Sequence, residues 1–153
     1  MTPRKSDILI DEIVHVDQGL TYLSVVDNLF FNTPYVSNHC HQYAPDAVIF
    51  AHGSASYADD ILSASVPVWI DLCGHVMAEA QAKAAVHPEG DHLTAYWRLT
   101  ADLLARGDAF SAVSERQRFA VIGQLGLAGR LNRATCGHEL VHTVPLCAGD
   151  DRR

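Results

Sequence analysis

Along the chain, hydrophobic and polar positions switch between short unbroken apolar runs and longer stretches with a helical period. Ala47–Ala51 (AVIFA), Val66–Leu72 (VPVWIDL) and Ala109–Val113 (AFSAV) are continuous apolar segments, as expected for strands of a parallel sheet covered on both faces. A helix is expected after each. The first follows His52-Gly53-Ser54 to about Leu62, and the second is the Ala-rich Val76–Val86. A longer helix is capped by Asp91 and ends at Arg106. It carries Leu93, Tyr96, Trp97, Thr100, Leu103 and Leu104 on one stripe and stops at Gly107. Ahead of these units, Ile13–Val16 and Leu20–Val26 flank Asp17-Gln18-Gly19 and read as a hairpin. Thr33-Pro34 starts a helix whose Tyr35, Val36, His39, Cys40 and Tyr43 share a face. Glu139–Leu146 reads as a last strand or extended exit.

Strands alternating with helices predict an α/β fold: a Rossmann-like open parallel sheet with helices on both faces. Residues 1–146 are expected to form one domain, and 147–153 a polar tail or linker.

The third strand runs directly into a helix start. Ser114-Glu115-Arg116-Gln117 fits the S-x-x-[E/Q] capping box, in which the Ser114 hydroxyl accepts from the Gln117 amide and the Gln117 side chain returns to the Ser114 amide. Glu115 places negative charge in the first turn, where the helix dipole favours it. Phe119, Ile122 and Leu125 give this helix its apolar face. The glycines of Gly123–Gly129 fall at its end as breakers and caps.

Composition narrows the functional classes. The chain has 153 residues, 48% hydrophobic and 19% charged, with a formal charge of −7. No basic footprint suits a nucleic-acid backbone, and no apolar run reaches the length of a membrane span. Cys40, Cys73, Cys136 and Cys147 follow no disulfide framework, which fits a reduced cytoplasm.

Ligands of α/β proteins gather at the carboxyl ends of parallel strands. Those ends carry His52-Gly53-Ser54, then Asp71 with Gly74-His75, then Ser114-Glu115-Arg116. A polar cleft there would let His52 and Asp71 bond sugar hydroxyls, while Arg116 and the helix N-terminus meet phosphate. Ser54 and Ser114 also suit plain helix caps, and Asp71 suits loop amides. Asn38-His39-Cys40-His41, Cys73-x-His75 and Cys136-x-His138-x3-His142 supply metal donors, but none has a diagnostic spacing, and no metal ligand is assigned. The G-x-S-x-G elbow, the G-x-G-x-x-G turn and the P-loop are absent from the sequence.

The run from Asp108 through Ser114 to Asn132, DAFSAVSERQRFAVIGQLGLAGRLN, resembles the end of the N-terminal domain in GT-B glycosyltransferases of the family-4 type. The similarity extends more weakly back to Asp46 and Val25, and Thr143-Val144-Pro145-Leu146 is similar to the segment leading to the interdomain linker. The chain departs from the pattern at its start, where no first strand with a Gly-rich loop precedes the hairpin. The resemblance implies an acceptor-side domain, one half of a GT-B architecture, for nucleotide-sugar-dependent hexosyl transfer to a glycan or lipid-linked acceptor. Activity would need a donor-binding C-terminal domain or partner subunit. The nucleotide-sugar is a co-substrate, and no metal or other cofactor is required. His52, Asp71 and Glu115 are the expected acceptor contacts or general base. Gly53, Ser54, Gly74, His75, Ser114 and Arg116 are the expected substrate-binding positions. The expected location is the cytoplasm, including the surface of the inner membrane. A non-enzymatic binding module that dimerises or docks on another protein is the second expectation, and a small zinc hydrolase the third.

Overall fold

A computed structural model describes residues 12–17, 19–24, 33–51, 66–87 and 92–145. β1 (Glu12–Asp17) and β2 (Leu20–Ser24) form the expected antiparallel hairpin, with Gly19 at φ +87°, a conformation that favours glycine. Then come α1 (Thr33–Tyr43), β3 (Val48–Ala51), β4 (Val68–Leu72), α2 (Val76–Val86), α3 (His92–Arg106), β5 (Ala109–Ala112), α4 (Glu115–Leu127) and β6 (Val141–Thr143). β3, β4, β5 and β6 build an all-parallel open sheet in that order, so the chain is α/β and Rossmann-like. The helix expected to end near Leu62, the Asp91 cap and the 147–153 tail lie outside the described residues.

Strand parity sorts the side chains into two sets, because successive residues of a strand point to opposite faces. Phe50, Val68, Ile70, Leu72, Phe110, Ala112 and Val141 fall on one face and form a single core with Leu103 and Leu104 of α3 and Val121 and Leu125 of α4. Both crossovers, β4 to β5 and β5 to β6, therefore pack on that face. The opposite parity carries Ile49, Trp69, Asp71, Ser111 and His142. Ile49 is 71% exposed, which departs from a strand covered on both sides.

Helix faces also depart in detail. On α3 the core stripe is Leu99, Leu103 and Leu104, while Leu93 and Trp97 at its start are exposed. On α1, Cys40 packs against the core and Ser37 is buried, whereas Tyr43 is exposed. On α4, Phe119 is exposed and Val121 takes the buried place beside Leu125.

Two junctions tie the turn between α3 and β5 to its neighbours. α4 ends in a Schellman motif: Arg130 N–H donates to Leu125 O at 2.9 Å, Gly129 N–H to Gly126 O at 3.1 Å, and Gly129 has φ +72°. Arg130, leaving this turn, donates to Leu104 O (3.1 Å), Ala105 O (2.6 Å) and Gly107 O (2.8 Å). A guanidinium thus satisfies the orphan carbonyls at the C-terminus of α3, where a cation is also favoured by the dipole. At the second junction, Asp108 brackets Val68. Its carboxylate accepts from Val68 N at 2.9 Å, and its amide donates to Val68 O at 2.8 Å.

Gly107 is a glycine because of space. A Cβ there would lie 2.6 Å from Phe110 Cζ and 2.8 Å from Ile70 Cγ1, both in the densest part of the core. Gly107→Ala is expected to destabilise the fold by about 1–3 kcal/mol through overpacking. A urea midpoint unchanged from wild type would refute that account.

Candidate functional site

The C-terminal edge of the sheet gathers the exits of β4, β5 and β6 with the N-termini of α2 and α4. At the β4 exit, His75 is the N-cap of α2, and its Nδ1 accepts from Ala78 N at 3.2 Å. At the β5 exit, Ser114 caps α4 in extended conformation (φ −156°, ψ 159°), and its hydroxyl accepts from Gln117 N at 3.2 Å. This half of the capping box forms as predicted.

The other half differs. Gln117 Oε1 accepts from Val113 N at 2.8 Å, one residue upstream of the expected Ser114 amide. Its Nε2 then donates to Leu72 O at 2.9 Å and to Gly74 O at 2.8 Å. One half-buried carboxamide therefore joins the exits of two adjacent strands to the first turn of α4. Sequence reasoning assigned Gln117 only to the local box. Its partners on β4 lie far back along the chain, where no local pattern points.

Glu115 is engaged on the same turn. It accepts from the Thr143 hydroxyl and pairs with Arg118 at 3.5 Å. Arg118 goes on to Val141 O at 2.9 Å and to Glu139 at 3.4 Å, tying α4 to β6. Arg116 is exposed, and among the described residues its guanidinium makes no hydrogen bond or ion pair. The Glu115 and Arg116 amides likewise have no acceptor among the described residues. These are the N–H groups that the helix start leaves open for an anion.

Asp71 faces the other way. On the sheet face opposite the core, its carboxylate accepts from the Ser111 hydroxyl, and that oxygen in turn accepts from Trp69 Nε1 at 3.0 Å. Ser111 is buried, so its oxygen is closed off from a substrate. The Trp69 ring stacks on His142 with centroids 5.1 Å apart and planes 23° apart. His142 Nδ1 lies 3.8 Å from Glu139. The edge thus brings together Gly74, His75, Ser114, Glu115 and Arg116, and separates Asp71 from them by strand parity. His52, Gly53 and Ser54 lie outside the described residues.

The cysteine and histidine groups sit on separate elements. His39 Nδ1–H donates to Tyr35 O at 3.0 Å, and His41 Nδ1–H to Ser37 O at 2.8 Å. Burial pushes the Cys40 thiol up, away from the thiolate a metal needs. Among the described residues no three His, Cys, Asp or Glu side chains come together as a metal site, and Cys40, Cys73 and Cys136 are free. No described helix is long and apolar enough to cross a membrane.

Behind the edge, between α2, α3 and α4, lies a cavity with about 10 Å³ of interior room, space for one water or a methyl-sized group. No family model, curated protein or solved structure matches the chain.

Replacing Gln117 by Leu would leave the Val113 amide and the Leu72 and Gly74 carbonyls without their partner. A loss of about 2–3 kcal/mol is expected, with faster exchange of the Val113 amide. Exchange as slow as in wild type would show that the carboxamide does not hold this edge.

Proposed function

We propose that this chain is the acceptor-side domain of a nucleotide-sugar-dependent glycosyltransferase of GT-B type. The observation that carries the reading is the β5-to-α4 junction. An all-parallel sheet delivers a capped helix N-terminus to its carboxyl edge, with the Glu115 and Arg116 amides and the Arg116 guanidinium unpaired. That combination suits the negative end of a bound co-substrate. In the proposed transfer the acceptor oxygen forms a bond to the anomeric carbon, the bond from that carbon to the diphosphate breaks, and the acceptor proton passes to a base. Arg116 and the α4 N-terminus stabilise the departing diphosphate. A second domain or subunit supplies the remaining donor contacts. Glu115 is held by Thr143 and Arg118, so its part here is to orient the turn. The base falls to His52, which the sequence places at the end of β3 and which lies outside the described residues.

Titrating isotope-labelled protein with a panel of oligosaccharides and lipid-linked saccharides, and separately with nucleotide-sugars, tests this. Acceptors are expected to shift the amides of 73–76 and 113–117. Nucleotide-sugars alone should give a weaker response that Arg116→Glu abolishes. Silence at this edge across the acceptor panel would defeat the reading.

A second reading, a binding module that self-associates, is favoured by the exposure of Phe119 (65%) and Leu127 (93%) on α4. Sedimentation equilibrium separates the two. A mass that rises with concentration, and falls to the monomer in Leu127→Lys, supports association. A constant monomer mass removes it.

A further inference from the structure

We infer that the cavity beneath the edge is a subsite for the acetamido group of an N-acetylated acceptor sugar, an inference that rests on the acceptor-side reading above. Its apolar floor is Leu72, Leu103, Phe110 and Val121, and its polar lining is His75, Thr100, Gln117 and Gln124. The interior holds one methyl-sized group, so the bulk of any larger ligand lies outside, over the rim.

The rim chemistry selects what can enter. His75 Nδ1 is an acceptor for the Ala78 amide, which places the proton of the neutral ring on Nε2. Among the described residues that Nε2–H has no acceptor, and the Gln124 carboxamide has no hydrogen-bond partner. Two free donors and one free amide oxygen therefore stand around an apolar hole. An acetamido group matches this in each part. Its methyl covers the Leu103 and Val121 floor, its carbonyl accepts from His75 Nε2–H or the Gln124 amide, and its N–H donates to Gln124 Oε1. A sugar hydroxyl in the same position would set a polar group among apolar carbons with only the Thr100 oxygen to accept from it, and a carboxylate would find no donor there. Of the other polar lining groups, Gln117 already has three backbone partners and Thr100 gives its hydroxyl proton to Tyr96 O at 2.8 Å, so the free donors belong to His75 and Gln124.

The test compares methyl N-acetyl-β-glucosaminide with methyl β-glucoside, each titrated into the isotope-labelled full chain. The acetamido sugar is expected to bind about tenfold tighter, from one buried methyl and one net hydrogen bond. It should shift the methyl signals of Leu103 and Val121 and the Gln124 side-chain amide. Gln124→Met, which keeps length and helix propensity, should remove most of that preference while the circular dichroism spectrum stays that of wild type. Equal affinity for the two glycosides, or shifts away from the Leu103 and Val121 methyls, overturns the acetamido assignment. So does silence of the acetamido glycoside while oligosaccharide acceptors still shift residues 73–76 and 113–117, and in that case the acceptor-side reading survives. Silence from every saccharide overturns both.

Discussion

The Gln117 carboxamide is the contact on which the architecture of the edge depends. It accepts from Val113 at the end of β5 and donates to two carbonyls, those of Leu72 and Gly74, at and just past the end of β4. Its own backbone N–H is held by Ser114. Strand exits in a parallel sheet present main-chain groups that the ladder no longer pairs. Here one side chain pairs three of them and fixes the spacing between α2 and α4. The cavity, the His75 rim and the open amides of Glu115 and Arg116 all take their positions from that bridge. The core supplies a matching constraint from below, where Gly107 lets Phe110 and Ile70 meet the end of α3 without a side chain between them.

The fold was legible where the signal is local. Apolar runs marked β3, β4 and β5 within a residue or two, Gly19 marked the hairpin turn, and Ser114 marked the start of α4. These features depend on propensity, capping and turn chemistry within a few residues. The Rossmann-like class followed from the alternation of elements, and the strand order came from the structure. Gly107 was legible as the end of α3, but its reason was not. No positive φ is involved, and only the distance to Phe110 explains it.

The site was legible in position and not in connection. The sequence located the carboxyl edge and named Ser114 as a cap but not His75, and the structure puts Gly74, His75, Ser114, Glu115 and Arg116 there. It did not reveal that Glu115 is tied to Thr143, that Gln117 reaches β4, or that Gln124 stands at a cavity rim. Each of these joins residues whose approach is set by sheet register and helix packing. Helical periodicity erred for a related reason. It put Leu93 and Trp97 on the same stripe as Leu103 and Leu104, yet only the second half of α3 lies over the core.

Strand order explains why Asp71 parted from the other candidates. β3 to β6 follow one another without a reversal, and the two described crossovers that cover β4, β5 and β6 share one face. Helix caps and the cavity belong to that face, whereas side chains of Trp69, Asp71, Ser111 and His142 belong to the other by parity. A ligand at this edge therefore meets cap residues, main-chain amides and the first turns of helices before it meets strand side chains. Specificity in such a site must come from the few polar groups that the caps leave unspent. On the helix side these are the Arg116 guanidinium and two amides, the outer nitrogen of His75 and the carboxamide of Gln124. The first set is suited to an anion and the second to a neutral amide. On the proposed glycosyltransferase reading, the first set would meet the charged donor and the second the uncharged acceptor.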